Sequence, residues 1–212
     1  MASYHRIYRI SLVLLLAAFS GCGGNEAPDI NEVPDISAAA ATELKKGRGF
    51  CGRGDFDTAI ASFTEAIRLD PSYAEAYYRR GGAYGDKGEF DKAIKDYTEV
   101  IRLDPNYTDA YYNRGGAYNQ KGEYDKAIED WTEVIRLNPN DAWAYYNCGK
   151  AYSNKGEYDK AIEDYTEAIR RKPDTRFGSM AYKDRGDAYG EKGELQKAKA
   201  DLDKAKSLGY EP

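Results

Sequence analysis

Side chains able to do bond chemistry are few in this 212-residue chain. His5 is its single histidine, so beyond the first few residues the commonest general base and metal ligand is absent. The cysteines are Cys22, Cys51 and Cys148, and none sits in a CxxC or zinc-type cluster. Carboxylates are abundant, but Glu65, Glu99, Glu133 and Glu167 recur at one fixed interval, as a solvated helix face would. No Gly-rich phosphate loop follows a strand pattern. These residues predict no enzyme, no metal, no cofactor and no small-molecule substrate. Lys plus Arg number 31 against 36 for Asp plus Glu, without a block of either sign, so neither nucleic acid nor a basic membrane-binding face is expected. The groups that remain are those of recognition, the 20 tyrosines foremost.

What must position them is a repeat. Pro71, Pro105, Pro139 and Pro173 recur every 34 residues, as do Ala59, Ala93, Ala127 and Ala161, and Gly54, Gly88, Gly122 and Gly156. Self-similarity at this length marks a stack of helix pairs. The units frame as 40–73, 74–107, 108–141, 142–175 and 179–212, with Arg176-Phe177-Gly178 inserted before the last. Tyr77, Gly81 and Tyr84 fall at i, i+4 and i+7 of a first helix, and Ala93, Tyr97 and Val100 repeat that stripe on a second. Gly88 suits the left-handed turn between them, and Pro105 ends the pair. Small Gly81 and Ala93 facing large Tyr77, Tyr84 and Tyr97 let the helices interlock. One hairpin leaves an apolar face open, which the next repeat covers. Cys51 and Cys148, nearly three repeats apart, would stand roughly 50 Å from each other at ~9 Å per helix, far beyond disulfide reach.

The N-terminus reads differently. His5, Arg6 and Arg9 precede the apolar run Ile10–Phe19, closed by Ser20-Gly21-Cys22. Ile10 to Gly21 is 12 residues, short of the ~20 that span a bilayer, so residues 1–22 are expected to be a targeting segment. Its ending resembles the bacterial lipoprotein signal, which implies lipidation at Cys22, although Phe19 stands where that signal favours Leu. A conventionally cleaved signal with secretion, or an uncleaved anchor, are the alternatives. Residues 23–39, with Pro28, Pro34 and several acids, are expected to form a flexible linker; the fifteen from Gly23 to Ser37 could reach roughly 50 Å.

Tyr111, Gly115, Tyr118, Ala127, Trp131, Val134 and Pro139 stand at the positions that characterise the tetratricopeptide repeat family, and residues 40–212 resemble it throughout. The resemblance implies an all-α fold, a right-handed α-solenoid of five helix-turn-helix repeats. Three departures stand out. Arg80, Arg114 and Arg185 occupy positions favouring Leu and are expected to lay their stems on apolar surface. Glu43 replaces an aromatic, so the first helix is expected to be degenerate. Tyr210 replaces the last proline. Lys199 and Lys206 replace the isoleucines of the other second helices, which predicts a polar end cap.

The resemblance further implies that first helices line a concave groove. Its candidate ligand contacts are Tyr78, Arg79, Tyr112, Asn113, Asn119, Trp143, Tyr146, Asn147 and Lys150, with Gly82 and Gly116 leaving the floor open. Tyr and Asn at these positions equally serve neighbouring helices as packing. Trp143 could anchor a ligand or rest on the preceding loop. The function implied is a protein-binding scaffold of the bacterial cell envelope, held to the membrane by the N-terminal lipid and taking a partner peptide or helix in the groove. The alternative is a passive part of a larger envelope complex.

Overall fold

The computed structural model describes residues 35–173 and 175–210; Cys22, the targeting segment and residues 23–34 of the linker lie outside them. The described residues form ten helices and no strand: α1 (Ile36–Cys51), α2 (Phe56–Leu69), α3 (Ala74–Asp86), α4 (Phe90–Leu103), α5 (Thr108–Gln120), α6 (Tyr124–Leu137), α7 (Ala142–Asn154), α8 (Tyr158–Arg171), α9 (Arg176–Glu191) and α10 (Leu195–Ser207). Each packs on its neighbours in sequence. First helices also touch first helices of the next repeat, α1 to α3, α3 to α5 and α7 to α9. The fold is an all-α solenoid whose odd-numbered helices share one side.

Two boundaries differ from those expected. Helix α1 starts at Ile36, inside the stretch assigned to the linker, because the Asp35 carboxylate accepts from the amides of Ser37 (3.0 Å) and Ala38 (3.2 Å) and an alanine run follows. It is a full helix despite Glu43, which turns outward to Lys46 (2.6 Å) while Ala40, Leu44 and Gly47 are buried. The insertion is not a loop: Arg176-Phe177-Gly178 is the first turn of α9, capped by Thr175 Oγ1 accepting from the Gly178 amide (3.1 Å).

Between paired helices, Gly54, Gly88, Gly122, Gly156 and Gly193 adopt φ of 74–76°, the left-handed conformation a side chain disfavours. Within each pair a glycine meets an aromatic ring. A Cβ added at Gly81 would lie 2.9 Å from Tyr97 Cε1, and one at Gly115 2.9 Å from Trp131 Nε1. The Trp131 indole is positioned further by donating to the Tyr112 carbonyl (3.1 Å). Fully buried Phe63, Ala59 and Ala66 are typical of the seams; each large apolar side chain so buried stabilises the array by ~1.5–3 kcal/mol.

The arginines do more than lay their stems on apolar surface. Arg80 forks onto Asp96 through two bonds of 2.8 Å, and its remaining Nη1 donates to Thr64 of the preceding repeat (3.0 Å). Arg114 joins Asp130 and Thr98, and Arg185 joins Asp201 and Thr166, in the same way. Three helices are thereby tied by one planar group. Repeat 4 departs from this: Cys148 stands in the arginine position, and Asp164 is acted on by burial, Glu163 and Glu167 with no guanidinium among them. A second ladder crosses every repeat boundary after the first pair of helices, from Lys87 to Asp57, Lys121 to Asp91, Lys155 to Asp125 and Lys192 to Asp159.

Candidate functional site

The side formed by α1, α3, α5, α7 and α9 carries the groove residues. Local sequence aims them there: in a first helix the stripe Tyr77-Gly81-Tyr84 turns to the partner helix, so Tyr78 and its equivalents, one residue on, face the neighbouring first helix. Tyr78 and Tyr112 are half-buried. Asn113 Nδ2 donates to the Tyr78 hydroxyl (2.9 Å), and Asn147 Nδ2 donates to the Tyr112 hydroxyl (2.9 Å). Tyr146 continues the ladder by donating to Asp184 Oδ2 (2.6 Å). Four of the candidates named from sequence are thus brought together in pairs across repeats, and the bonds fix their side chains against one another.

Tyr146 is not groove lining. It is 4% exposed, and burial together with the Asp184 carboxylate pushes its phenol far above the ordinary value. The insertion is the cause, since Phe177 packs on Tyr146 (centroids 5.5 Å) and on Trp143 (4.5 Å). Trp143, 40% exposed, therefore leans on Phe177 of α9, the first helix of the next repeat. Arg79 pairs with Glu75 (2.6 Å) and lies over the Tyr78 ring (5.5 Å); Glu75 also accepts from the Tyr107 hydroxyl (2.9 Å). Lys150 is exposed, its Nζ 5.8 Å from the Tyr146 ring centroid. Asn119 presents a buried Oδ1 with no hydrogen-bond partner.

Two hollows open along this side. One, of about 300 Å³, lies between repeats 2 and 3 and is lined by Gly82, Gly85, Asp86, Phe90, Tyr97 and Asn113 among others. The other, of about 200 Å³, lies between repeats 4 and 5 and is bordered by Lys150, Asn154, Tyr158, Asp184, Asp187 and Glu191. Sequence reasoning missed Gly85, Asp86 and the acids of α9. The signal was available: Asp184 stands at the register of Asn113 and Asn147 once the three inserted residues are discounted. Among the described residues no group of three His, Cys, Asp or Glu could hold a metal, and burial raises the thiols of Cys51 and Cys148 above their ordinary value, away from the reactive thiolate. No helix among the described residues is long and apolar enough to cross a membrane.

Family models described as TPR repeat match residues 47–88, 83–122 and 115–156, and models described as tetratricopeptide repeat match 142–175 and 181–208. Among solved structures, a crystal structure of MamA protein is 33% identical with a TM-score of 0.76, covering 80% of this chain and 91% of that one. A MamA fragment from Desulfovibrio magneticus RS-1 is 24% identical, covering 82% and 96%, with a TM-score of 0.77. YrrB, described as a TPR protein with an unusual peptide-binding site, is 24% identical, covering 80% and 86%, with a TM-score of 0.70. No curated protein matches the chain.

Proposed function

The chain belongs to the tetratricopeptide repeat family, and from that premise we propose that it is a protein-interaction scaffold of the bacterial cell envelope that takes a partner's peptide or helix in the groove of its first helices. The observation that carries the reading is the open floor offered by the first helices of repeats 2 and 3. Gly82, Gly85 and Gly116 sit within helices, where each costs about 1 kcal/mol relative to alanine. A Cβ at Gly85 or Gly116 would meet nothing within 4 Å, and one at Gly82 only the Tyr97 hydroxyl at 3.8 Å. Packing does not require these three, in contrast to Gly81 and Gly115; an unfilled trough beside tyrosines already held by Asn113 and Asn147 is what a ligand surface needs. YrrB, of the same fold, is described with a peptide-binding site.

The envelope part of the reading rests on the short apolar run ending in Gly21-Cys22. A lipid on Cys22 would hold the chain at the membrane, and residues 23–34 would space the array from it. Filling the trough tests the groove. Gly116→Arg should abolish capture of a partner identified by cross-linking from membranes, with helical circular dichroism unchanged, while Glu129→Ala on the opposite side should leave capture intact. Equal loss from both substitutions, or loss from Glu129→Ala alone, replaces the groove by the outer face and the scaffold by a passive structural part.

A further inference from the structure

The hollow between repeats 2 and 3 is the one place along the array where both floor positions of a first helix lack side chains. Gly82 and Gly85 correspond to Arg48 and Cys51 in repeat 1, Gly116 and Asn119 in repeat 3, Lys150 and Ser153 in repeat 4, and Asp187 and Gly190 in repeat 5. At about 300 Å³ it stands at the lower end of ligand-pocket sizes, fit for one side chain. Its inner wall is apolar and aromatic: Tyr97, 4% exposed, with Phe90 and Ala93. Its rim carries one unpaired charge, the exposed carboxylate of Asp86, beside the Tyr97 hydroxyl and the Asn113 amide. Asp86 forms no hydrogen bond or ion pair within the described residues, although the acids nearby, Asp57, Glu75 and Glu89, are each held by a cation. Asp86 is itself part of the lining, on the same wall as Gly82 and Gly85. Asn113 spends its Nδ2 on Tyr78, which leaves Oδ1 as its acceptor. The neighbouring cations are spoken for: Arg79 by Glu75, and Lys87 by Asp57 and Glu89.

Aromatic walls with an unpaired carboxylate at the rim match a long apolar stem ending in a cation. We propose that this hollow takes the side chain of a lysine or arginine carried by an extended segment of the partner, with the stem along Tyr97 and Phe90 and the charge on Asp86. The proposal rests on the groove reading and gives it a ligand chemistry: a partner segment with a basic residue at the point that crosses from repeat 2 to repeat 3. The two readings can fail separately, because the hollow is testable without the partner.

The test uses the full-length chain with 15N-glycine labelling in detergent micelles, titrated with N-acetyl-lysine methylamide, N-acetyl-arginine methylamide and the uncharged N-acetyl-norleucine methylamide. Saturable shifts of the Gly82 and Gly85 amides are expected with both basic probes, with at least about five-fold weaker binding of the norleucine probe, close to the 1 kcal/mol that one such charge contact contributes. Gly85→Leu should remove the response, and the open space around that Cβ together with leucine's higher helix propensity keeps the helix folded. Asp86→Asn, which changes no packing, should weaken the basic probes to the level of norleucine. Equal binding of norleucine, shifts confined to other glycines, or a response that survives Gly85→Leu would overturn the proposal. If Gly116→Arg blocks the partner while the basic probes fail to bind, the groove stands and the basic pocket falls.

Discussion

Where repeats 2, 3 and 5 carry Arg80, Arg114 and Arg185, repeat 4 carries Cys148, and the consequence falls on Asp164. Its counterparts Asp96, Asp130 and Asp201 each receive two guanidinium bonds. Asp164 instead lies among Glu163 and Glu167 on its own helix, the Cys148 thiol on α7 and the Tyr152 phenol, and no cation reaches it. The arginines of the repeat are spent elsewhere, Arg171 on the Pro139 carbonyl, Glu167 and the Tyr145 hydroxyl, and Arg170 on Glu167. Burial, then the two glutamates, push the Asp164 carboxyl up to about 7. A carboxyl raised in the folded state binds more protons folded than unfolded, so its contribution to stability is highest in acid and is lost as pH rises from about 4 through about 7. A carboxyl raised from about 4 to about 7 corresponds to at most about 4 kcal/mol; residual solvent access halves this to roughly 2 kcal/mol. Cys148→Arg should restore the clamp from Thr132 to Asp164. The expected gain at pH 8 is about 2 kcal/mol, or roughly 4–8 °C in Tm for an array of this size. At pH 5 only about a third of the penalty is expressed, and the gain should shrink in proportion. Thermal and urea unfolding followed by circular dichroism at both pH values reads this directly, with Asp164→Asn as the control that removes the charge without adding an arginine. A gain equal at pH 5 and pH 8, or destabilisation by both variants at pH 8, would refute the reasoning.

Neighbouring glycines should respond with opposite sign: Gly115→Ala drives a Cβ to 2.9 Å from the Trp131 indole and should cost about 1–3 kcal/mol, whereas Gly116→Ala should gain about 0.5–1 kcal/mol, both read from urea midpoints. Lys199 and Lys206 are exposed on α10, where the isoleucines of earlier repeats are buried or half-buried; changing both to isoleucine should expose an apolar end and produce concentration-dependent self-association in light scattering, and an unchanged monomer would count against the cap. Cys22→Ala should release the chain from the membrane fraction, and the intact mass of the parent should show a lipidated N-terminus at Cys22; a mass beginning at Met1 would end the lipid proposal.

The repeat was legible in the sequence because proline, alanine and left-handed glycine each have one use at a helix end or a close crossing, and they recur on the same period. The helix boundaries at Ile36 and Arg176 were not, since both depend on a single capping side chain, Asp35 or Thr175, placed before residues that composition alone assigns to a linker or an insertion. The arginine clamps were hidden for a different reason. Arg80 and Asp96 are 16 residues apart on two helices, a separation that no one-helix periodicity reports. In the groove, sequence placed the tyrosines and asparagines on the correct helices, but a hydrogen bond from Asn113 back to Tyr78 is a contact between repeats. The role of Trp143 turned on Phe177, a residue that the repeat register set aside as inserted.

The account's central claim is that the trough of first helices, and not the outer face of second helices, meets the partner. Site-specific photo-crosslinking in intact cells tests it most directly, with a benzophenone amino acid placed at Gly116, where the added side chain meets open space, or at exposed Glu129 on α6. The account predicts a discrete adduct from position 116 that disappears when Gly85→Leu narrows the same trough, and none from position 129. An adduct from position 129 with position 116 silent would contradict it.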